Sequence, residues 1–237
     1  MKNCILIPGN PAVANHYFNW IKEIKNRNSN INFKYATSYV LFSKKLNYVE
    51  YDQALREYYE NLFLESCGDN KVTLIAHSVG SYFALRLLEK HPEKIEKIII
   101  MFPYIGYSKS LLLKFTWIPY LIDRVFPLAE LVSNIKNIFK KWDEEIQNIS
   151  VTELTACLRF GVRQCVYFNK NKLDVKSIIA HKEKIYFLYT DNDKWCPEKT
   201  IEILRPISNS KKISIPHDFI TNHDDREKMT DELILIL

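Results

Sequence analysis

The sequence lacks any apolar run long enough to cross a bilayer, and its first eight residues hold too short an apolar stretch for a signal peptide. From these two absences we expect a cytoplasmic protein. It also lacks a block of like charges, because its net charge of +5 comes from 33 basic and 28 acidic residues scattered along the chain. Such a surplus indicates a solvated surface with weak attraction to anionic lipid or substrate, and it does not predict nucleic-acid binding.

Cysteine spacing excludes further kinds of site. The five cysteines are odd in number and form no C-x-x-C pair, so neither a disulfide framework nor a zinc site is predicted. No motif indicates a metal or an organic cofactor. Repeats and low-complexity tracts are missing too, and 47% of the 237 residues are hydrophobic. One sizeable core, formed by an α/β domain with an insertion, is therefore expected.

Short apolar runs alternate with stretches of helical periodicity. The runs typical of strands fall at 4–7, 33–40, 72–75, 95–101, 185–189 and 213–215. Helical spacing of apolar residues marks 15–25, 51–63, 81–88 and a last helix that begins near 224. Alternation of this kind predicts a mostly parallel sheet with helices on both faces.

The pattern changes between 104 and 180, where large apolar residues occur at helical spacing and no clear strand is found. We interpret 104–180 as a helical cap inserted between core segments 1–103 and 181–237. Its aromatic side chains could line an apolar pocket for fatty or bulky groups, or could pack the cap onto the core; they are Trp117, Tyr120, Phe126, Phe139, Trp142 and Phe160.

Basic residues interleave with leucines and aromatics in the same segment, at Lys109, Lys114 and Arg124. This arrangement is typical of an interfacial amphipathic helix, although Pro119 and Pro127 interrupt any long one. Peripheral contact of the cap with a membrane or another lipid surface is therefore kept as an alternative.

The most informative motif is Ala76-His77-Ser78-Val79-Gly80, which stands between an apolar run and a helical run. A serine on a tight strand-to-helix turn projects its hydroxyl from the end of a sheet, and small residues two before and two after it are needed. The motif predicts the nucleophile elbow of a serine hydrolase, with Ser78 as nucleophile.

A serine nucleophile needs a histidine base and a carboxylate, and in this architecture they follow in the order serine, acid, histidine. His217 meets this condition because it follows a late apolar run, and His223 is the reserve candidate. For the acid, Asp191 and Asp193 compete in the loop after 185–189. We choose Asp193, which lies deeper in the loop, whereas Asp191 is typical of a turn.

The oxyanion of a tetrahedral intermediate needs two hydrogen-bond donors. One is predicted to be the backbone N–H of Val79, at a helix N-terminus. The second is expected from the loop after the first strand. Pro11 has no N–H, so Asn10 is the candidate donor, and Gly9 allows the backbone of this loop to approach closely.

Taken together, these motifs resemble the lipid droplet-associated hydrolase family of α/β-hydrolases. The shared segments are 7–11 with the aromatic pair Tyr17-Phe18, 76–82, 193–197 and 216–220. The resemblance implies an α/β-hydrolase fold and a serine hydrolase of carboxylic, lipid-like esters, with Ser78, Asp193 and His217 as its triad. The chain departs from the family in having Ala76 where glycine is usual, and in its short length.

Two other functions fit the same residues. A thioesterase or acyltransferase would use the same triad with a different leaving group or acceptor. A lipid-surface binding module of hydrolase fold would use no triad, and the presence of all three residue types in order argues against it.

Overall fold

The computed structural model of the chain describes residues 2–9, 14–36, 48–106, 167–168, 170–191, 193, 196 and 198–237. Most of the predicted cap, 104–180, lies outside these residues, and so do the six aromatic residues named above and Lys109, Lys114 and Arg124. The division of the chain into a core and an inserted cap therefore stays a prediction.

Six strands lie in the part of the chain that the structure describes. They are β1 Lys2–Ile7, β2 Ile31–Tyr35, β3 Val72–His77, β4 Ile95–Met101, β5 Ile185–Tyr189 and β6 Asn209–Lys212. They form one sheet in the order β2-β1-β3-β4-β5-β6, and every neighbouring pair is parallel. The predicted parallel sheet is confirmed.

Helices cover both faces of this sheet. Those within the described residues are α1 Ala14–Arg27, α2 Tyr48–Cys67, α3 Gly80–Lys90, α4 Val175–Ile179, α5 Glu198–Leu204 and α6 His223–Ile236. None of them is both long enough and apolar enough to cross a membrane.

Strand β3 shows how the core forms around the centre of the sheet. All six of its residues are buried, as expected for a parallel strand covered on both faces. Because successive side chains point to opposite faces, Ile75 packs with Trp20 of α1 and Met229 of α6, whereas Leu74 packs with Leu85 of α3. The carboxyl-terminal half of β3 is thereby held between two layers of helices.

Strand β6 corrects one sequence prediction. We expected a strand at 213–215, but the structure has it at Asn209–Lys212, and 213–216 is irregular. All four residues of β6 are exposed because it is the edge strand, so no apolar run marks it. Ile213 and Ile215 are buried after the chain has left the sheet, where the Ile213 N–H donates to the carbonyl of Tyr189 at 2.8 Å.

The loop from β6 to α6 carries His217 and is fixed at its far end. The side chain of Asn222 caps α6 by accepting from the N–H of Asp224 at 2.9 Å and of Asp225 at 3.3 Å. The buried guanidinium of Arg226 donates to the carbonyl of Ile220 at 3.1 Å. These bonds restrain the segment that follows His217.

Candidate active site

Ser78 lies in the tight turn between β3 and α3. Its φ of +50° is in the left-handed region, which is less stable than right-handed backbone by about 1–2 kcal/mol for a residue with a Cβ. The Ser78 N–H donates to the carbonyl of Met101 at 2.9 Å. The Ser78 carbonyl accepts from the N–H of Ser81 at 3.1 Å and of Tyr104 at 3.0 Å. A strained residue that its surroundings fix in this way is typical of a functional site.

Gly80 allows the start of α3 to approach the end of β1. A Cβ at residue 80 would collide with the carbonyl oxygen of Ile7 and lie 2.7 Å from that of Pro8. Ala76, which stands where the resembled family has glycine, is fully buried in β3 with Ile7 and Ile100 as its neighbours across the sheet. The turn therefore accommodates a methyl group at residue 76 and has no room for one at residue 80.

Asp193 and His217 form a partly buried hydrogen bond. The Nδ1 atom of His217 lies 2.8 Å from Oδ2 of Asp193, and the exposed fractions of the two side chains are 13% and 1%. The second oxygen, Oδ1, accepts from the N–H of Cys196 at 3.0 Å. Since a carboxylate can only accept, Nδ1 of His217 carries the hydrogen and neutral His217 keeps the lone pair of Nε2 available as a base.

Asp191, the competing carboxylate, lies elsewhere. Its side chain is 58% exposed and forms an ion pair with Lys212 of β6. The structure therefore brings Asp193, and not Asp191, to His217. His223, the reserve histidine, is 63% exposed at the start of α6 and lies 3.5 Å from Glu23.

The three residues share one edge of the sheet. Ser78 directly follows β3, Asp193 lies after β5 and His217 after β6, and the carboxyl ends of parallel strands meet at the same edge. The His217 ring lies 5.1 Å, between centroids, from the ring of His77, the residue that precedes Ser78. The ring of Phe102, just after β4, lies 5.6 Å from His217. A serine, an imidazole and a carboxylate are thus gathered where ligands bind in folds of this kind.

Of the two predicted oxyanion donors, one lies in the described part of the chain. Val79 stands in the turn immediately before α3, at the positive end of the helix dipole. Asn10 lies outside the described residues, so its role stays a prediction. Its neighbour Gly9 is described, and a Cβ there would lie 3.0 Å from the Cβ of Ser78. The loop after β1 therefore passes directly against the serine.

Sequence reasoning missed the role of His77 and Tyr17. No role was predicted for His77 beyond its place in the motif around Ser78, yet its Nδ1 lies 2.6 Å from the hydroxyl of Tyr17 and its Nε2 lies 3.0 Å from the backbone carbonyl of His217. Burial, and secondarily the nearby His217, lower the pKa of His77 to about 3. Burial likewise raises the pKa of the Tyr17 hydroxyl. The signals in the sequence were the position of His77 beside the serine and the aromatic pair Tyr17-Phe18 shared with the resembled family.

Comparison with known proteins places the chain. An esterase from Exiguobacterium antarcticum has a similar fold, with a TM-score of 0.65 at 17% identity over 100% of this chain and 91% of that one. An esterase from Thermogutta terrifontis matches with a TM-score of 0.65 at 13% identity, over 98% of this chain and 88% of that one. At these identities the likeness shows the fold alone, which is that of the α/β-hydrolases.

Curated relatives share more of the sequence. The lipid droplet-associated hydrolase of Homo sapiens is 26% identical over an alignment of 177 residues, and the match covers 65% of this chain and 54% of that protein. The one from Pongo abelii is 25% identical over an alignment of 174 residues, and the match covers 64% of this chain and 54% of the relative. This chain thus spans about half the length of the curated relatives it matches. The family model described as lipid-droplet associated hydrolase matches residues 2–223, and the chain belongs to that family.

Proposed function

We propose that this chain is a serine hydrolase that cleaves carboxylic esters through an acyl-enzyme, with Ser78 as nucleophile, His217 as base and Asp193 as its carboxylate. The observation that carries the proposal is the partly buried hydrogen bond of 2.8 Å between Asp193 and His217, at the sheet edge where Ser78 has its left-handed backbone. Membership of a hydrolase family supports it.

In the first half of the reaction, Nε2 of His217 takes the hydroxyl proton of Ser78 while Oγ bonds to the acyl carbon. The N–H groups of Val79 and Asn10 are proposed to stabilise the oxyanion of the tetrahedral intermediate. His217 then donates the proton to the leaving oxygen, the C–O bond breaks and the alcohol departs. Asp193 stays ionised and stabilises the transient imidazolium.

The second half repeats these steps with water. His217 removes a proton from the water as its oxygen attacks the acyl carbon. It returns that proton to Oγ of Ser78 as the acyl bond breaks, which releases a carboxylic acid and restores the enzyme. The bonds and protons of both half-reactions balance with these side chains, the ester and water.

We propose lipid-like acyl esters as substrates. Support comes from the family and from the names of the curated relatives, both of which refer to lipid droplets. The aromatic residues predicted between 104 and 180 suit a fatty acyl group. A cytoplasmic protein in peripheral contact with a membrane or droplet through that segment fits the same proposal.

The test compares hydrolysis of p-nitrophenyl esters of increasing chain length with hydrolysis of matched acyl thioesters. Ser78→Ala and His217→Ala should each reduce kcat by about 10⁶-fold, and Asp193→Asn by about 10⁴-fold, as in other triads. Circular dichroism should show that each variant keeps its fold.

Asp191→Asn is the matched control, because it makes the same chemical change in the same loop at an exposed surface pair. It should leave kcat unchanged. Preference for thioesters would favour the thioesterase alternative with the same triad. An effect of Asp191→Asn together with a silent Asp193→Asn would show that the assignment of the acid is wrong.

A further inference from the structure

A one-directional chain of hydrogen bonds runs through His77. The backbone N–H of Gly9 donates to the hydroxyl oxygen of Tyr17 at 2.8 Å. That hydroxyl lies 2.6 Å from Nδ1 of His77, and Nε2 of His77 lies 3.0 Å from the carbonyl oxygen of His217. Both side chains are buried, with exposed fractions of 2% for Tyr17 and 4% for His77.

The partners at its two ends fix the position of every proton in this series of hydrogen bonds. A carbonyl only accepts, so Nε2 of His77 must carry a hydrogen and donate it to His217. In the neutral ring Nδ1 is then an acceptor, and the hydroxyl hydrogen of Tyr17 must be donated to it. The direction of donation is Gly9 to Tyr17 to His77 to the His217 carbonyl. Each polar atom along it has a partner of the right kind.

These bonds join three segments that are far apart in the sequence. Gly9 belongs to the loop after β1, which the sequence predicts to supply an oxyanion donor. His77 is the last residue of β3, and its neighbour is Ser78. The third segment is the loop after β6 that carries His217. One imidazole thus connects the segments proposed to hold the nucleophile, the base and the oxyanion.

The geometry points to His77 and Tyr17 as positioning residues, which hold the loop after β1 and the backbone of His217 in register with Ser78. This inference rests on the proposed serine hydrolase function. His77 has no ring nitrogen free to contact a reacting atom, because one is hydrogen-bonded to Tyr17 and the other to the His217 carbonyl.

Neutrality of His77 is part of this role. During the proposed reaction His217 becomes positively charged, and the two rings lie 5.1 Å apart between centroids. A second positive charge at that distance would disfavour protonation of His217 in a partly buried site. The Tyr17 hydroxyl donates to Nδ1 of His77 and thereby occupies the lone pair that a proton would take.

The test uses two substitutions that each retain one side of the His77 ring. In His77→Gln the amide nitrogen can occupy the position of Nε2 and donate to the His217 carbonyl, while in His77→Asn the shorter side chain reaches only toward Tyr17. Tyr17→Phe removes the hydroxyl and leaves the ring. Tyr82→Phe is the control, because Tyr82 is a buried tyrosine of α3 whose hydroxyl donates to the carbonyl of Asn171 and takes no part in the hydrogen bonds of His77.

We expect Tyr17→Phe and His77→Asn to reduce kcat for ester hydrolysis by about 10–100-fold with KM nearly unchanged, since displaced catalytic groups slow the chemical step. His77→Gln should recover most of the rate lost in His77→Asn. Tyr82→Phe should keep the wild-type kcat even if its unfolding midpoint falls as far as that of Tyr17→Phe. Equal kcat values for Tyr17→Phe and Tyr82→Phe would overturn the positioning role.

Two further readouts separate this inference from the proposed function. Nitrogen-15 NMR of the wild-type ring should show His77 as the neutral Nε2–H form, constant from about pH 5 to about pH 9. An Nδ1–H form, or a titrating ring, would overturn the hydrogen-bond chain whatever the enzyme does. Fluorophosphonate labelling of the same samples reports Ser78 itself. Failure of the wild type to label overturns both proposals, whereas normal labelling at equal rates in all variants overturns only the positioning role.

Discussion

Burial of a neutral His77 should make the protein less stable in mild acid. In the unfolded chain this histidine takes up a proton near its ordinary pKa of 6.5, whereas in the folded chain burial lowers that pKa to about 3. Between these values the unfolded state binds more protons, so the free energy of unfolding falls as the pH falls. One proton corresponds to about 1.4 kcal/mol per pH unit, which gives an upper limit of roughly 4–5 kcal/mol over the whole window.

The assay is urea unfolding of the wild type and of His77→Gln at several values from about pH 7 to about pH 4. Other groups titrate in this range, but those that face His77, namely Tyr17, His217 and Asp193, are present in both proteins. Their contributions largely cancel when the slopes against pH are compared. We expect the wild-type slope to exceed that of His77→Gln by about 1 kcal/mol per pH unit between about pH 6 and pH 4. Parallel slopes would show that His77 titrates normally in the fold and refute the reasoning.

Two other predictions concern close packing and thiol burial. Gly80→Ala should lower the free energy of unfolding by about 1–3 kcal/mol in urea titrations, because the added methyl group would collide with the carbonyl of Ile7 and the backbone would have to move. An unchanged unfolding midpoint would contradict the observed approach of α3 to β1. Burial raises the pKa of the thiols of three described cysteines, which are Cys4, Cys67 and Cys196. Peptide mapping after iodoacetamide treatment of the native protein should therefore find them unmodified. Rapid modification would contradict their burial.

The sequence predicts the sheet well where strands are buried on both faces and poorly where they are not. Strands β3 and β4 read as apolar runs because helices cover both sides of them. Strand β6 is polar and exposed at the sheet edge, so its sequence resembles a loop and the prediction moved to the buried isoleucines that follow it. An apolar run reports burial, and β6 shows that an edge strand can form without it.

The candidate site was predictable in its order and less so in its connections. Topology alone requires that residues following β3, β5 and β6 meet at one edge, which is why candidates for the nucleophile, the acid and the base could be sought there from the sequence. The hydrogen bond from Tyr17 to His77 joins residues 60 positions apart. It depends on how α1 packs against the end of β3, and no local pattern encodes that distance.

Covalent modification of Ser78 tests the central claim most directly. The intact protein is treated with a fluorophosphonate probe, digested and mapped by mass spectrometry, beside Ser78→Ala and His217→Ala. The account predicts a single stoichiometric adduct on the peptide that contains Ser78, absent from Ser78→Ala and strongly slowed in His217→Ala. A wild-type protein that stays unmodified at Ser78, or an adduct that forms equally fast without His217, would contradict it.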